Sequence, residues 1–308
     1  MIKKFNYQNI TWIDLTTPTK EEVQGVSSEY AIHPVAAGEL SEPSLRAKVD
    51  IYDNFIYLIL HLPNHGSSHE SNEDRPDTIE IDFIIGKDFL ITTSYDLLEP
   101  MQEFGKILET SNLLMKNQKD THAGFLFYYI IKHLYQSLEG NLEGINYSLK
   151  KAETKIFSGN EKEMVMVLAE INKKLLDFRS TLKTHKEVLN SLEVVGEDFF
   201  GKKFHYHLQA MMGEYNKVWY ALENCREFFN ELRQTNESLL QIKTNESTKI
   251  FTMLAFITFP LTLLVTLLSL RSPGTPIVDL EYGFWYISGL LLAFILLILA
   301  YYKHKKWM

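Results

Sequence analysis

Two runs of twenty-one residues without a charge, Ile250–Leu270 and Tyr282–Tyr302, constrain this chain more than anything else in it. At about 1.5 Å of rise per residue each makes a helix of roughly 30 Å, the thickness of a bilayer's hydrocarbon core. Lys249 and Arg271 bound the first run, and Glu281 and Lys303 bound the second. The aromatic cluster "YGFWY" at Tyr282–Tyr286 and Trp307 suit interfacial belts. The alternative, two buried helices of a large soluble core, leaves these charged and aromatic edges without a reason. The tail 303–308, "KHKKWM", is basic, and the positive-inside rule keeps it cytoplasmic. The expectation is a multi-pass inner-membrane protein with both termini cytoplasmic, whose one external segment is the loop 271–281.

The rest of the chain reads as a cytosolic body. The start, "MIKKFNYQNITW", has no apolar stretch after its lysines and is not expected to be a signal peptide. A net charge of −8 argues against nucleic acid as a partner. Residues 1–115 read as an α/β domain. "ITWIDL" (Ile10–Leu15) alternates like a strand, and "TKEE" (Thr19–Glu22) is a capping box that starts a helix. Asp50–Leu62 and Thr78–Ser94 read as hairpin strands, the second turning at Gly86-Lys87. Between them "PNHGSSHESNEDRPD" is polar and broken by Gly and Pro.

From Thr121 the period changes. Leu134, Leu138, Leu142, Ile145, Leu149, Ala152 and Ile156 step by fours and threes, "SGN" at Ser158–Asn160 breaks the run, and Met164, Leu168, Ile171, Leu175, Phe178 and Leu182 resume it. That pattern predicts an antiparallel helical hairpin over 116–197. A stalk helix over 198–249 then runs into the first span, 250–270; the second span is 282–302 and a basic tail ends the chain.

Within the first span Asn245, Thr248, Thr252, Ala255, Phe259, Thr262, Thr266 and Ser269 step by three and four, so they share one helix face. A small, polar face at bilayer depth avoids lipid. It packs against a neighbouring helix through small residues, or it lines water. The stripe spans the whole run and continues below it at Asn245, which favours the pore reading. One such helix per chain requires several chains about an axis. Phe259 is then a narrow apolar point able to gate by dewetting, and Pro260 loosens the helix beside it.

Other constellations weigh less. His61, His65 and His69 with Glu70, Glu73 and Asp74 suggest a metal site, but Pro63 and Gly66 forbid the helix that such spacing needs, and a solvated loop is the simpler account. His205 and His207 diverge on a helix. No nucleophile–base motif or phosphate loop appears, the single Cys225 has no partner in the chain, and the chain is not expected to be an enzyme or to hold a prosthetic group.

Taken together, "TWIDL", "IHPVAAGEL", "RAKVDIYDNFIYLIL", "TNESTKIFTMLAFITFPLT" and "YYKHKKWM" resemble the CorA family of divalent-cation channels over nearly the whole chain. The resemblance implies an α/β cytosolic domain, a long helical hairpin and stalk, two C-terminal transmembrane helices, and a homopentamer in contact with membrane lipids. It implies that the first span lines the pore and that magnesium, cobalt, nickel or zinc is the transported ion. The family carries Gly-Met-Asn at the external end of that span, where this chain has Ser269, Leu270 and Arg271. Asp279 and Glu281 are the acids of the same loop. The family's regulatory metal site joins a carboxylate at the place of Glu39 to one at the place of Ala210; Glu214, one turn on, is the nearest substitute. The alternatives are a pore not selective for divalent cations, being anion-permeable or closed, or a non-conducting membrane scaffold or sensor.

Overall fold

The computed structural model describes residues 1–7, 9–44, 46–64, 78–110, 122–269 and 282–304. The chain divides into two compact units, Met1–Asn236 and Glu237–Met308.

In the first unit six strands form one sheet: β1 (Ile2–Tyr7), β2 (Ile10–Thr16), β3 (Lys48–Ile51), β4 (Ile56–Pro63), β5 (Thr78–Ile85) and β6 (Phe89–Ser94), in the order β1-β2-β6-β5-β4-β3. Only β2 and β6 run parallel. β4 and β5 are buried at nearly every position, because both faces of the sheet are covered. On one face lie α1 (Lys20–Glu29) and α2 (Pro34–Glu39), whose Val23 and Ala36, with Ile32 between the helices, share a core with Tyr57, Ile59 and Ile84 of the sheet. Thr19 and Glu22 exchange both hydrogen bonds of the capping box and so fix where α1 begins. Asp50–Leu62 is not one strand: it folds back at Tyr52–Phe55, where the Tyr52 N–H donates to the Phe55 carbonyl at 2.9 Å.

The other face carries α3 (Glu99–Thr110), α4 (Ala123–Phe157) and α5 (Glu161–Phe200). Phe127 of α4 meets Phe83 of β5 edge-on at 5.1 Å. Gly159 (φ +97°) makes the turn between α4 and α5, and Gly201 (φ +91°) leads through a short 3-10 turn, Lys202–Phe204, into α6 (His205–Ser269). A side chain at either glycine would be strained. The apolar positions of α4, α5 and the first half of α6 bury one shared seam, from Leu134 and Leu182 to Leu222 and Leu232.

The second unit holds the remainder of α6 and α7 (Gly283–His304). Within α6 an eighteen-residue stretch reaches a mean hydropathy of 2.2 with none of it buried. An apolar surface of that kind is covered by lipid or by further copies, since water would leave it exposed.

Candidate ion pathway and regulatory carboxylates

The polar stripe on α6 is built from hydroxyls that satisfy themselves along the helix. Thr252 Oγ1 donates to the Thr248 carbonyl at 2.8 Å, Thr262 to Thr258 at 2.8 Å, and Thr266 to Thr262 at 2.7 Å. Asn245 Oδ1 accepts from Gln241 Nε2 at 3.1 Å. The hydroxyl protons of Thr252, Thr262 and Thr266 are thus spent on the i−4 carbonyls, and the oxygens' lone pairs remain as acceptors. Along these threonines the face offers oxygen to a cation or a water shell.

Asn245, Thr248, Thr252, Phe259, Thr262 and Thr266 are exposed in the single chain and Ala255 is half-buried. Phe259, 75% exposed, is the one large apolar side chain among them. Thr258 borders the stripe three residues from Ala255 and four from Thr262, and its hydroxyl donates to the Leu254 carbonyl at 2.9 Å. Sequence reading passed over it because strict three–four stepping through Ala255 and Phe259 skips it. Pro260 lies inside the helix and leaves the Phe256 carbonyl without its usual donor. Ser269 is the last residue of α6. Leu270, Arg271, Asp279 and Glu281 lie outside the described residues, as do His65, His69, Glu70, Glu73 and Asp74.

The two carboxylates suggested for a regulatory cation are each engaged by a lysine. Glu39, the last residue of α2, has Oε2 at 2.6 Å from Lys48 Nζ, and Asp50 Oδ2 meets the same ammonium at 2.6 Å. Burial pulls the Lys48 pKa down, but its bonds to Asp50 and Glu39 outweigh that and raise it. Glu214 Oε2 is 2.9 Å from Lys217 Nζ. Among the described residues no group of three or more His, Cys, Asp or Glu side chains converges as a metal site. His205 pairs with Glu197 at 3.1 Å, while the His207 ring packs among Phe125, Tyr128 and Phe204, so the two do part company.

Close to Glu39 the structure holds an acid pair that sequence reading missed. Asp82 is fully buried in β5, and Glu80 is nearly so. Tyr57 Oη donates to Asp82 Oδ2 at 3.0 Å and Tyr95 Oη to the same oxygen at 3.3 Å. Burial, then the adjacent Glu80 carboxylate, pushes the Asp82 pKa up to about 8. Glu80 Oε2 accepts from the Ser44 N–H at 2.6 Å and lies 3.4 Å from His61 Nε2, which also touches the Ser44 carbonyl at 2.8 Å. The carbonyls of Glu39 and Glu42 also lie 3.3 Å from Tyr95 Oη, alternative acceptors for its one proton. The acid pair therefore sits under the turn that carries Glu39. The missed signal was "EID" in β5: two acids alternating with Ile look like a solvent face until α2 and its following turn cover them.

Comparison with known proteins agrees with this architecture. The family described as "CorA-like Mg2+ transporter protein" matches residues 7–304. The chain is 22% identical to the cobalt/magnesium transport protein CorA of Thermotoga maritima, over 97% of this chain and 83% of that one. It is 21% identical to the CorA of Methanocaldococcus jannaschii, over 98% of this chain and 93% of that one. The complete structure of the Methanocaldococcus jannaschii CorA magnesium transporter superposes with a TM-score of 0.81 at 20% identity, covering 99% of this chain and 93% of that one. The full-length CmaX structure gives 0.71 at 15% identity, over 96% and 88%. With a sheet-and-hairpin body, a helix that carries a hydroxyl face and nearly every residue matched, this chain belongs to the CorA-like Mg2+ transporter family.

Proposed function

We propose that the chain assembles as a homopentamer in the inner membrane, with both termini cytoplasmic, and passes divalent cations along the hydroxyl face of α6. The observation that carries the reading is that face: acceptor oxygens at Thr252, Thr262 and Thr266 on a helix whose apolar stretch no other described residue buries. A hydrated divalent cation keeps much of its water, and hydroxyl acceptors suit that water shell. Magnesium and cobalt, named for the relatives, are the first candidates, with nickel and zinc in the same class. Phe259 and Pro260 form the gate region, and Ser269, Leu270 and Arg271 stand where the family carries its Gly-Met-Asn filter.

A specific residue favours a second reading. An arginine at the filter position opposes cation entry, so a pore that is closed or passes anions is the competing function. Proteoliposomes measured side by side for magnesium, cobalt, zinc and chloride flux separate the two. Magnesium or cobalt flux above chloride supports divalent transport; chloride flux without divalent flux overturns it.

A further inference from the structure

Between the middle of α5 and the third to fifth turns of α6 lies a half-open groove of about 600 Å³ that the ion pathway does not use. Arg179, Lys183 and Lys186 line one wall, stepping by four and three along α5. Tyr215, Trp219 and Tyr220 of α6 line the other. The chain is acidic overall, yet this groove gathers three cations. Lys183 and Lys186 form no ion pair among the described residues. Arg179 meets Glu223 through Nε at 3.9 Å, and Arg226 already holds both oxygens of that carboxylate at 2.9 Å. The positive charge of the wall is therefore mostly uncompensated, and a concave low-dielectric site focuses it.

The aromatic wall is rigid. Tyr215 is buried and stacks with Trp219 at 6.1 Å. Behind it Tyr135 makes ring contact at 6.2 Å, and its hydroxyl is bonded to His185 Nδ1 at 3.0 Å. His185 Nε2 in turn lies 2.7 Å from the His61 carbonyl in β4. The rings facing the groove are thus anchored to the sheet, while Tyr220 stays 67% exposed at the rim.

Cations in a row opposite a fixed aromatic face match one ligand chemistry. Arginine and lysine bind phosphate oxygens, and an indole or phenol ring stacks on a planar base. Arg179 to Lys186 spans about 10 Å along the helix, comparable with an extended triphosphate and its ribose. The volume falls in the range of sites for small ligands. We propose that this groove binds a nucleoside polyphosphate, with the phosphates on Arg179, Lys183 and Lys186 and the base against Trp219 and Tyr220. The proposal is independent of which ion the pore passes.

The test uses the full-length protein in detergent, in magnesium-free buffer, with ATP, tripolyphosphate and inorganic phosphate as separate ligands in equilibrium dialysis. Saturable ATP binding is expected, roughly tenfold tighter than tripolyphosphate through base stacking. Lys183→Gln combined with Lys186→Gln should weaken both ligands at least about tenfold, and Trp219→Leu should weaken ATP alone. Circular dichroism melts confirm that the variants fold; both lysines are exposed and neither packs in the core. Absence of saturable ATP binding overturns the proposal. So does equal binding of ATP and tripolyphosphate unaffected by Trp219→Leu, which marks a bare anion patch. Shielding of Lys183 from amine-reactive label without any nucleotide also overturns it, because a neighbouring copy then fills the groove.

Discussion

The ammonium of Lys48, 2.6 Å from Glu39 and 2.6 Å from Asp50, already supplies the positive charge those carboxylates need. A magnesium ion at Glu39 has to displace it and still find several further oxygens. Millimolar magnesium is therefore expected to leave the proteolysis pattern of the wild-type protein unchanged, whereas Lys48→Ala should gain magnesium-dependent protection. Protection of the wild type that Glu39→Ala removes would disprove this. Asp82 gives a second residue-level prediction. Its pKa is raised, so the folded state holds a proton that the unfolded state releases near the ordinary carboxylate range. Its contribution to stability is full below that range and is lost as pH rises toward about 8. His185 acts in the opposite sense: burial pulls its pKa down to about 4, so its contribution is present above the ordinary imidazole range and is lost on acidification. Comparing wild type with Asp82→Asn cancels the histidine contribution and leaves the local set of Glu80, His61, Tyr57 and Tyr95 around the site. The variant should gain more than about 1 kcal/mol on the wild type between pH 5 and pH 8 in denaturant titrations. A pH-independent difference would mean that Asp82 does not hold that proton. Neither Lys48 nor Asp82 was legible in the sequence, because both depend on which turn of the chain is laid across the sheet.

Among elements, the helices declare themselves through spacing. Leu134 to Ile156 and Met164 to Leu182 keep one seam apolar, and α4 and α5 bury those positions. β5 and β6 follow from their alternation and the turn after Ile85. The hairpin of β3 and β4 was hidden because the apolar pattern runs on through it; Asp53-Asn54, good turn residues without a glycine, were the available cue. β1 pairs along its whole length with β2, although "IKKFNY" carries two lysines and reads as no element alone. Edge strands tolerate such charge. The stripe of α6 was legible for a different reason: hydroxyls in an apolar run are rare enough to mark a face. It leads to a direct test by thiol labelling in proteoliposomes, where Cys225 is buried and gives little background. Cysteine at Thr252 or Thr262 should react with a water-soluble reagent, and cysteine at Leu254 or Leu263 should not. Phe259→Ala should raise ion flux severalfold by removing the apolar constriction. Equal labelling at all four positions would put the stripe against lipid or protein instead of water.

At the scale of the whole assembly the open question is how a cation passes the outer mouth. Cross-linking in mild detergent is expected to give a pentamer, since one hydroxyl face per chain encloses water only when several chains share an axis. Arg271 lies outside the described residues, and its effect is argued from charge. A guanidinium about 6 Å from an ion on the axis repels a monovalent cation by about 0.7 kcal/mol in water, so the five of a pentamer sum to about 3.5 and to about 7 for a divalent ion. Salt lowers that figure and a lower local dielectric raises it. A ring of neutral carbonyls recovers less. Divalent entry therefore requires the side chain to turn away, either toward lipid headgroups or into a pair with Asp279 or Glu281. On either route Arg271 is expected to suppress tight magnesium binding at the mouth. Replacing Ser269-Leu270-Arg271 by Gly-Met-Asn should raise magnesium flux into proteoliposomes, and Arg271→Glu should raise cation flux by more than about tenfold, the change expected when repulsion of this size is removed. If flux is unchanged in both variants while cross-linking still gives the pentamer, the arginine is an interfacial anchor and selectivity lies deeper, along the threonines of α6.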